Sequence, residues 1–200
     1  MEKKILEKNK KLFDKWASSY DFPLFQWWMK KFHRLVIEQI TFTKKPKILD
    51  ISCGTGELLK EIAEKGNADL YGVDLSEEMV AVARKKLPSS VELKFADVHQ
   101  LPFPDDSFEY VISTEAFHHY YDQFLALKEM VRVAKMGGTV MVVDINFFLR
   151  PIHWLFERLE PGCVHINSKK EMVAYFREIG LQNIRQERTF LFAVATVGIK

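Results

Sequence analysis

The sequence has only two cysteines, Cys53 and Cys163, and neither belongs to a CxxC pair. No thiolate metal or redox motif is indicated, and nothing calls for a Cys53–Cys163 bridge although nothing forbids one. No apolar run approaches a membrane span. The longest, Phe190 to Ile199, is interrupted by Thr196 and Gly198, where about 20 apolar residues are needed. Neither sign of charge dominates, with 29 Lys and Arg against 27 Asp and Glu and a net charge of +2. So even a balance gives no electrostatic reason to expect nucleic acid or an acidic partner. There is no internal repeat and no low-complexity tract. The opening Met-Glu-Lys-Lys lacks the apolar core of a secretory leader, so a cytosolic protein is the expectation.

What is present is ordinary for a soluble globular chain: 200 residues, 48% hydrophobic and 28% charged. That length accommodates one domain with a small lid and a substantial core. Residues 1–43 stand apart as a helical lid preceding a domain at 44–200. They begin lysine-rich (Lys3, Lys4, Lys8, Lys10, Lys11, Lys15) and become aromatic (Phe13, Trp16, Tyr20, Phe22, Phe25, Trp27, Trp28, Phe32). Ile5, Leu6, Leu12, Phe13 and Trp16 fall near helical spacing and predict an amphipathic helix. Pro23 interrupts it, and a second helix is expected from about Phe25 to Ile40.

From Lys47 short apolar strands alternate with helices. Strands are expected at 47–51, 70–73, 91–96, 110–113 and 139–143, and helices at 58–65, 77–86, 122–134 and 168–179. Ser76 is placed to cap the second of these helices. Gly137-Gly138 is read as ending the third and Gly180 as capping the fourth. Residues 144–167 read as a connecting segment, and two antiparallel strands are expected from Ile184 onward. This alternation predicts an α/β fold: a Rossmann-like, doubly wound, mostly parallel sheet with an antiparallel edge strand and an N-terminal helical lid. Ligands in such sheets bind at the carboxyl ends of the strands.

Those ends carry acids. The first runs Asp50-Ile51-Ser52-Cys53-Gly54-Thr55-Gly56, and Gly54 and Gly56 let the backbone approach a ligand. A dinucleotide fingerprint would need glycine at 59, where the chain has Leu59. The Asp50 carboxylate also repels a pyrophosphate, and it suits a cofactor bearing an ammonium or sulfonium. Asp74, ending the second strand, can accept from ribose hydroxyls. Asp97 can accept from an adenine amino group while Val98 packs on the ring. Any one of these acids alone reads as a cap or loop residue; three at successive strand ends beside a glycine loop read as a cofactor site.

These segments resemble class I S-adenosylmethionine-dependent methyltransferases. The resemblance rests on Asp50–Gly56, Val73-Asp74-Leu75-Ser76-Glu77-Glu78-Met79, Asp97 with Leu101–Phe108, and Glu129–Val133 with Gly137-Gly138, over roughly residues 45–145. Phe13-Asp14-Lys15-Trp16-Ala17-Ser18-Ser19-Tyr20-Asp21 resembles the opening helix of the small-molecule branch, which includes quinone-biosynthesis enzymes. Two residues depart from the pattern: Ser52 stands at the first loop glycine and Met136 at a common proline. The resemblance implies that Asp50 and the Ser52–Gly56 loop, with Cys53 in it, hold the methionine part of the cofactor. It implies Asp74 at the ribose, Leu75 and Met79 flanking the adenine, Asp97 and Val98 recognising it, and Thr114 near the methionyl group. Ser52 is expected to keep the site working, its hydroxyl within reach of the methionyl carboxylate. Tyr20 either closes over the sulfonium, a cation–aromatic contact worth ~0.5–2 kcal/mol, or packs its own helix.

Methyl transfer rests largely on placing two reactants together. A base is needed only where the acceptor must lose a proton. His118 and His119, in Phe117-His118-His119-Tyr120-Tyr121, are the candidates, and the alternative is that they shape the site. His153 and His165 are weaker candidates. No metal-ligand spacing is evident and Cys53 belongs to the cofactor loop, so no metal site is expected. Two aromatic segments, Trp16 to Phe32 and the group Phe147, Phe148, Trp154 and Phe156, point to an apolar or aromatic small-molecule acceptor, or pack the lid onto the domain. The first-helix lysines form a solvated face or touch an anionic membrane surface. The expected function is methyl transfer to such an acceptor. The alternatives are a lipid or quinone-precursor methyltransferase at a membrane surface, or a non-catalytic S-adenosylmethionine-binding module.

Overall fold

The computed structural model describes residues 2–17, 22–147, 149–189 and 192–200. Tyr20 and Phe148 lie outside the described residues. Helix α1 (Glu2–Trp16) buries Asn9 and leaves Lys3, Lys4, Lys8, Lys11 and Lys15 exposed, the two-faced pattern its spacing predicts. Helix α2 (Pro23–Gln39) starts at Pro23 itself, two residues earlier than expected. Proline's fixed φ and missing N–H suit a first helical turn.

The alternating region follows as β1 (Lys47–Ile51), α3 (Glu57–Lys65), β2 (Asp69–Asp74), α4 (Glu77–Lys86), β3 (Glu92–Phe95) and β4 (Phe108–Thr114). A 3-10 turn at Phe117–His119 leads to α5 (Gln123–Val133), β5 (Ala134–Ile145), α6 (Arg150–Leu159), α7 (Lys169–Glu178), β6 (Gln182–Thr189) and β7 (Ala193–Ile199). The seven strands form one sheet in the order β3-β2-β1-β4-β5-β7-β6. The β1–β2, β1–β4, β2–β3 and β4–β5 pairs are parallel, and β7 runs antiparallel to both β5 and β6 at one edge. Strand order reverses at β1, between β2 and β4, so the loops after β1 and β4 flank the crevice where such sheets bind ligands.

Period-two alternation splits the core across the two sheet faces. Ile48, Ile112, Met141 and Val143 pack with α2, α3 and α4. Leu49, Val111, Val140 and Val142 pack with α5 and α7. Ser76 caps α4, accepting from the Met79 amide at 3.1 Å, and Ser168 opens α7 in a reciprocal capping box with Glu171.

Two sequence expectations give way here. Gly137-Gly138 does not end α5. That helix stops at Val133, β5 begins at Ala134, and the glycines lie within the strand. The β4 partner shifts from Ala134 at Phe108 to Thr139 at Tyr110, so the glycines accommodate a bulge. A Cβ on Gly138 would lie 2.8 Å from the Lys135 carbonyl oxygen. Residues 150–159, expected as connection, form α6, with Pro151 in its first turn and Ile152, Leu155, Phe156 and Leu159 at helical spacing. Among the described residues no helix is long and apolar enough to cross a membrane.

Candidate functional site

The loop after β1 turns through three left-handed residues, Ser52 (φ 60), Gly54 (φ 53) and Gly56 (φ 82). A non-glycine residue there costs about 1–2 kcal/mol. Ser52 has a compensating bond: its hydroxyl lies 2.9 Å from the Tyr120 hydroxyl, which lies 3.0 Å from the Ser113 hydroxyl. The residue at the family's glycine position is thus tied to the end of β4 through a buried tyrosine. Burial pushes the Tyr120 phenol well above its ordinary range, so it serves as a neutral donor and acceptor. Tyr120→Phe should lower stability by about 1–3 kcal/mol, because it leaves the buried Ser113 hydroxyl and the half-buried Ser52 hydroxyl one partner short. A thermal unfolding curve unchanged by this substitution would show that the network does not hold the loop.

Asp50 is 1% exposed and its Oδ1 has no hydrogen-bond partner. Burial, and then the neighbouring Asp74, push its carboxyl well above the usual range. Asp74 accepts from the Gly54 amide (Oδ2, 2.8 Å) and from the Ser76 amide (Oδ1, 2.8 Å). Burial raises it to about 6 against the pull of these donors. A carboxylate pair so placed, one oxygen buried and unpaired, fits a ligand that brings positive charge and hydroxyl donors. Cys53 extends the β1–β2 pairing by donating its amide to the Val73 carbonyl at 2.9 Å. Burial holds its thiol up, so it positions the loop and is no nucleophile.

Two cavities meet over this loop. One, of about 370 Å³, includes Asp50, Ser52, Cys53, Gly54 and Thr114 in its lining. The other, of about 690 Å³, is lined by Asp74, Leu75, Met79, Asp97, Val98 and Thr114 among others. Ser52, Gly54 and Thr114 belong to both walls. Gly56 lies behind the loop and starts α3. The structure therefore brings every described cofactor-site residue expected from sequence to one cleft or its support. Among the described residues no Lys or Arg lines either cavity, which agrees with a cationic ligand and not with a pyrophosphate.

Several residues of this cleft were not expected. His99 donates its backbone amide to Asp97 at 3.0 Å, approaches the same oxygen through its ring at 2.5 Å and stacks on Tyr121 at 3.7 Å. Burial pushes the Asp97 carboxyl up, but these His99 contacts outweigh it and leave it below its ordinary value. Helix α1 forms the roof through Ile5, Leu6, Asn9 and Phe13. Asn9 donates to the carbonyls of His119 (2.9 Å) and Gly162 (3.1 Å), and Asp14 accepts from the Ser76 hydroxyl at 2.6 Å. A side chain at Gly162 would meet Asn9 Oδ1 at 2.5 Å, so that glycine gives the clasp its space. Nothing short-range marks Asn9 or Gly162 in the sequence, because 153 positions separate them.

His118 and His119 leave β4 on the 3-10 turn. His118 is buried, with Nδ1 2.6 Å from Asp144 Oδ1 and Nε2 3.3 Å from Glu160 Oε1. Burial disfavours its charge, but the two carboxylates prevail and raise it to about 10. Burial and then the His118 charge push His119 down to about 3. Beyond them a third cavity, of about 1330 Å³, is lined by Phe13, Trp16, Phe147, Phe156 and the apolar side of α6. Of the two aromatic segments expected to meet at the strand ends, Trp16 of the first and Phe147 and Phe156 of the second line this chamber, whereas Phe32 packs in the core and Trp154 is exposed. Phe13, Glu115 and His119 are shared with the cofactor cleft.

This architecture has known counterparts. A family described as "Methyltransferase domain" matches residues 49–142. The demethylmenaquinone methyltransferase of Chlorobaculum parvum is 32% identical, covering 94% of this chain and 83% of that protein. The ubiquinone/menaquinone biosynthesis C-methyltransferase of Geotalea daltonii is 28% identical, covering 97% and 88%. A solved SAM-dependent methyltransferase from Aquifex aeolicus shares the fold with a TM-score of 0.72 at 19% identity, covering 93% of this chain and 97% of that one. With a relative 32% identical over 94% of its length and the matching sheet architecture, the chain belongs to the class I S-adenosylmethionine-dependent methyltransferases, in the branch of the quinone-biosynthesis enzymes.

Proposed function

We propose that this enzyme methylates an apolar, ring-bearing small molecule of the quinone-precursor type, held in the aromatic chamber beside the cofactor cleft. The observation that carries the reading is the shared wall: Phe13, Glu115 and His119 face both spaces. A ring resting on Phe13 would therefore lie next to the cofactor. When bound, S-adenosylmethionine supplies the methyl group from its sulfonium. Asp50 would hold the cofactor's ammonium, Asp74 its ribose hydroxyls, and Asp97 its adenine amino group, with Leu75, Met79 and Val98 against the base. Helix α1, clasped through Asn9 and Asp14, keeps water from the reacting atoms and so preserves their alignment. His118 and His119 would shape the chamber floor and leave proton removal to the acceptor's own acidity. His118 is already charged between two carboxylates, and His119 is too weak a base near neutral pH.

Methyl-labelled S-adenosylmethionine offered with a short-chain demethylated naphthoquinol, and separately with polar amines, tests this. Label should pass to the naphthoquinol and extract into organic solvent. Transfer to the amines alone would overturn the acceptor class.

One observation favours a membrane-surface form of the same reading. Ile152, Leu155 and Leu159 line the chamber and are also exposed, beside the exposed Trp154. Such a face suits an interface helix. Co-sedimentation with anionic vesicles, lost on Trp154→Ser with Leu155→Ser, would support it, and absence of sedimentation by the intact chain would end it.

A further inference from the structure

We propose that His118, His119 and Glu160 form a binding site for a divalent cation of the zinc class at the floor of the aromatic chamber. Among the described residues these three side chains form a cluster whose ligand atoms all lie within 4.8 Å of one another. Glu160 Oε1 is 3.3 Å from His118 Nε2 and 3.8 Å from His119 Nε2. Ligands about 2.0–2.2 Å from a tetrahedral zinc ion stand roughly 3.3–3.6 Å apart, so the two edges from Glu160 are already close to that length, and the three atoms need draw together by about 1 Å at most. Neighbouring residues on a helical turn usually point apart. Here the two imidazoles converge on one carboxylate, with ring centroids 4.1 Å apart.

Three features suit metal ligation. His118 turns its Nδ1 to Asp144 at 2.6 Å, and Asp144 is itself fixed by the Ile145 amide at 2.9 Å. A carboxylate on the far nitrogen is the usual support for a metal-bound imidazole. Glu160 Oε2 is buried without a hydrogen-bond partner, an arrangement that is costly unless a further group joins it. Two buried or half-buried carboxylates, Asp144 and Glu160, face this histidine pair, and a doubly charged ion that displaces the Nε2 proton of His118 to solvent would balance them. Two imidazoles and one carboxylate select transition ions such as zinc over magnesium or calcium. They also leave a fourth position open. All three residues line the aromatic chamber, so that position faces the acceptor. There an oxygen of the acceptor would complete the coordination, a clause that rests on the proposed function. No local pattern in the sequence marks the site, because Glu160 lies 42 residues beyond His118 and arrives only through α6.

Cobalt titration of the chelator-stripped full chain tests the site without cofactor or acceptor. One equivalent should bind with the visible bands of a four-coordinate ion, and zinc should displace it. Glu160→Gln and His119→Ala should each weaken binding at least about 100-fold. Asp144→Asn, which removes only the outer support, should weaken it about 10–100-fold. His165→Ala and Cys163→Ser should leave it unchanged. The His165 control matters because that exposed histidine also pairs with Glu157 and Glu171. Circular dichroism and a cooperative thermal unfolding curve for each variant report that it folds. Absence of stoichiometric cobalt in the intact chain overturns the site, as does binding that survives Glu160→Gln or vanishes with His165→Ala. Failure to bind S-adenosylmethionine would instead strike the proposed function and leave the cobalt result standing.

Discussion

Asp74→Ala is expected to raise the dissociation constant for S-adenosylmethionine about 100-fold while the protein stays folded. The wild-type carboxylate, 8% exposed, fastens the Gly54 amide on one oxygen and the Ser76 amide on the other. Each oxygen keeps acceptor capacity for a ribose hydroxyl. Hydrogen bonds to a charged group contribute about 1.5–3 kcal/mol each, so losing the ribose pair is worth about 3 kcal/mol, or 100-fold. Stability should change less, because removing Asp74 also relieves the repulsion that helps raise Asp50. Calorimetric titration beside thermal unfolding separates the two effects. An affinity within about threefold of wild type would show that β2 does not end at the ribose.

The same residue predicts a pH effect. With its carboxyl raised to about 6, Asp74 takes up a proton as pH falls through that value and loses acceptor strength. Cofactor affinity should therefore decline below pH 6, and decline less in Asp74→Asn, where Asp50 and Asp97 remain as the titrating carboxyls of the cleft. The contribution of Asp74 to stability has the opposite sign. A carboxyl whose pKa is higher in the folded state binds its proton more tightly there, so acidification between about 6 and 4 stabilises the unliganded fold.

Gly56→Val should destabilise the protein by about 3–4 kcal/mol and abolish measurable cofactor binding. Gly56 opens α3 at φ 82, and its amide donates to the Cys53 carbonyl at 2.9 Å. A branched side chain in that conformation costs about 1–2 kcal/mol or more. A Cβ there would also stand 2.7 Å from Leu87 Cδ1 and 3.2 Å from the Ala83 Cβ, within the packed core. Overpacking of this kind adds about 1–3 kcal/mol. Gly137→Val separates the two terms, because Gly137 has φ 77 and a Cβ at that position would meet nothing within 4 Å. Denaturant unfolding should show the backbone term alone at Gly137 and both terms at Gly56. Equal losses at the two sites would mean that contact with Leu87 is not the cause.

Most of the sheet was legible because its strands are short, apolar and buried on both faces, as at Lys47–Ile51 and Thr139–Val143. The candidate cleft was legible because the fold places ligands at strand ends, where Asp50, Asp74 and Asp97 stand out. Three kinds of feature were not. Helix α6 hides behind polar neighbours such as His153, Glu157 and Arg158, though Pro151 and the spacing of Ile152, Leu155, Phe156 and Leu159 marked it. Gly137-Gly138 is ambiguous locally, since a glycine pair serves a helix end or a strand bulge equally, and only the β4 register decides. Contacts between distant positions have no local signal at all: Ser52 with Tyr120, Asn9 with Gly162, and Glu160 with His118. Ser52 illustrates the point. From the chain alone its hydroxyl was expected near the methionyl carboxylate, and its bond to Tyr120, 68 positions away, had no local signal.

The central claim is that the Asp50–Asp74–Asp97 cleft takes S-adenosylmethionine. Isothermal titration of the purified chain with S-adenosylmethionine, S-adenosylhomocysteine and NADH tests it most directly. Binding of both sulfur compounds at one site per chain, with no heat from NADH, is the predicted result. NADH binding, or no binding of either sulfur compound to the folded chain, would contradict it.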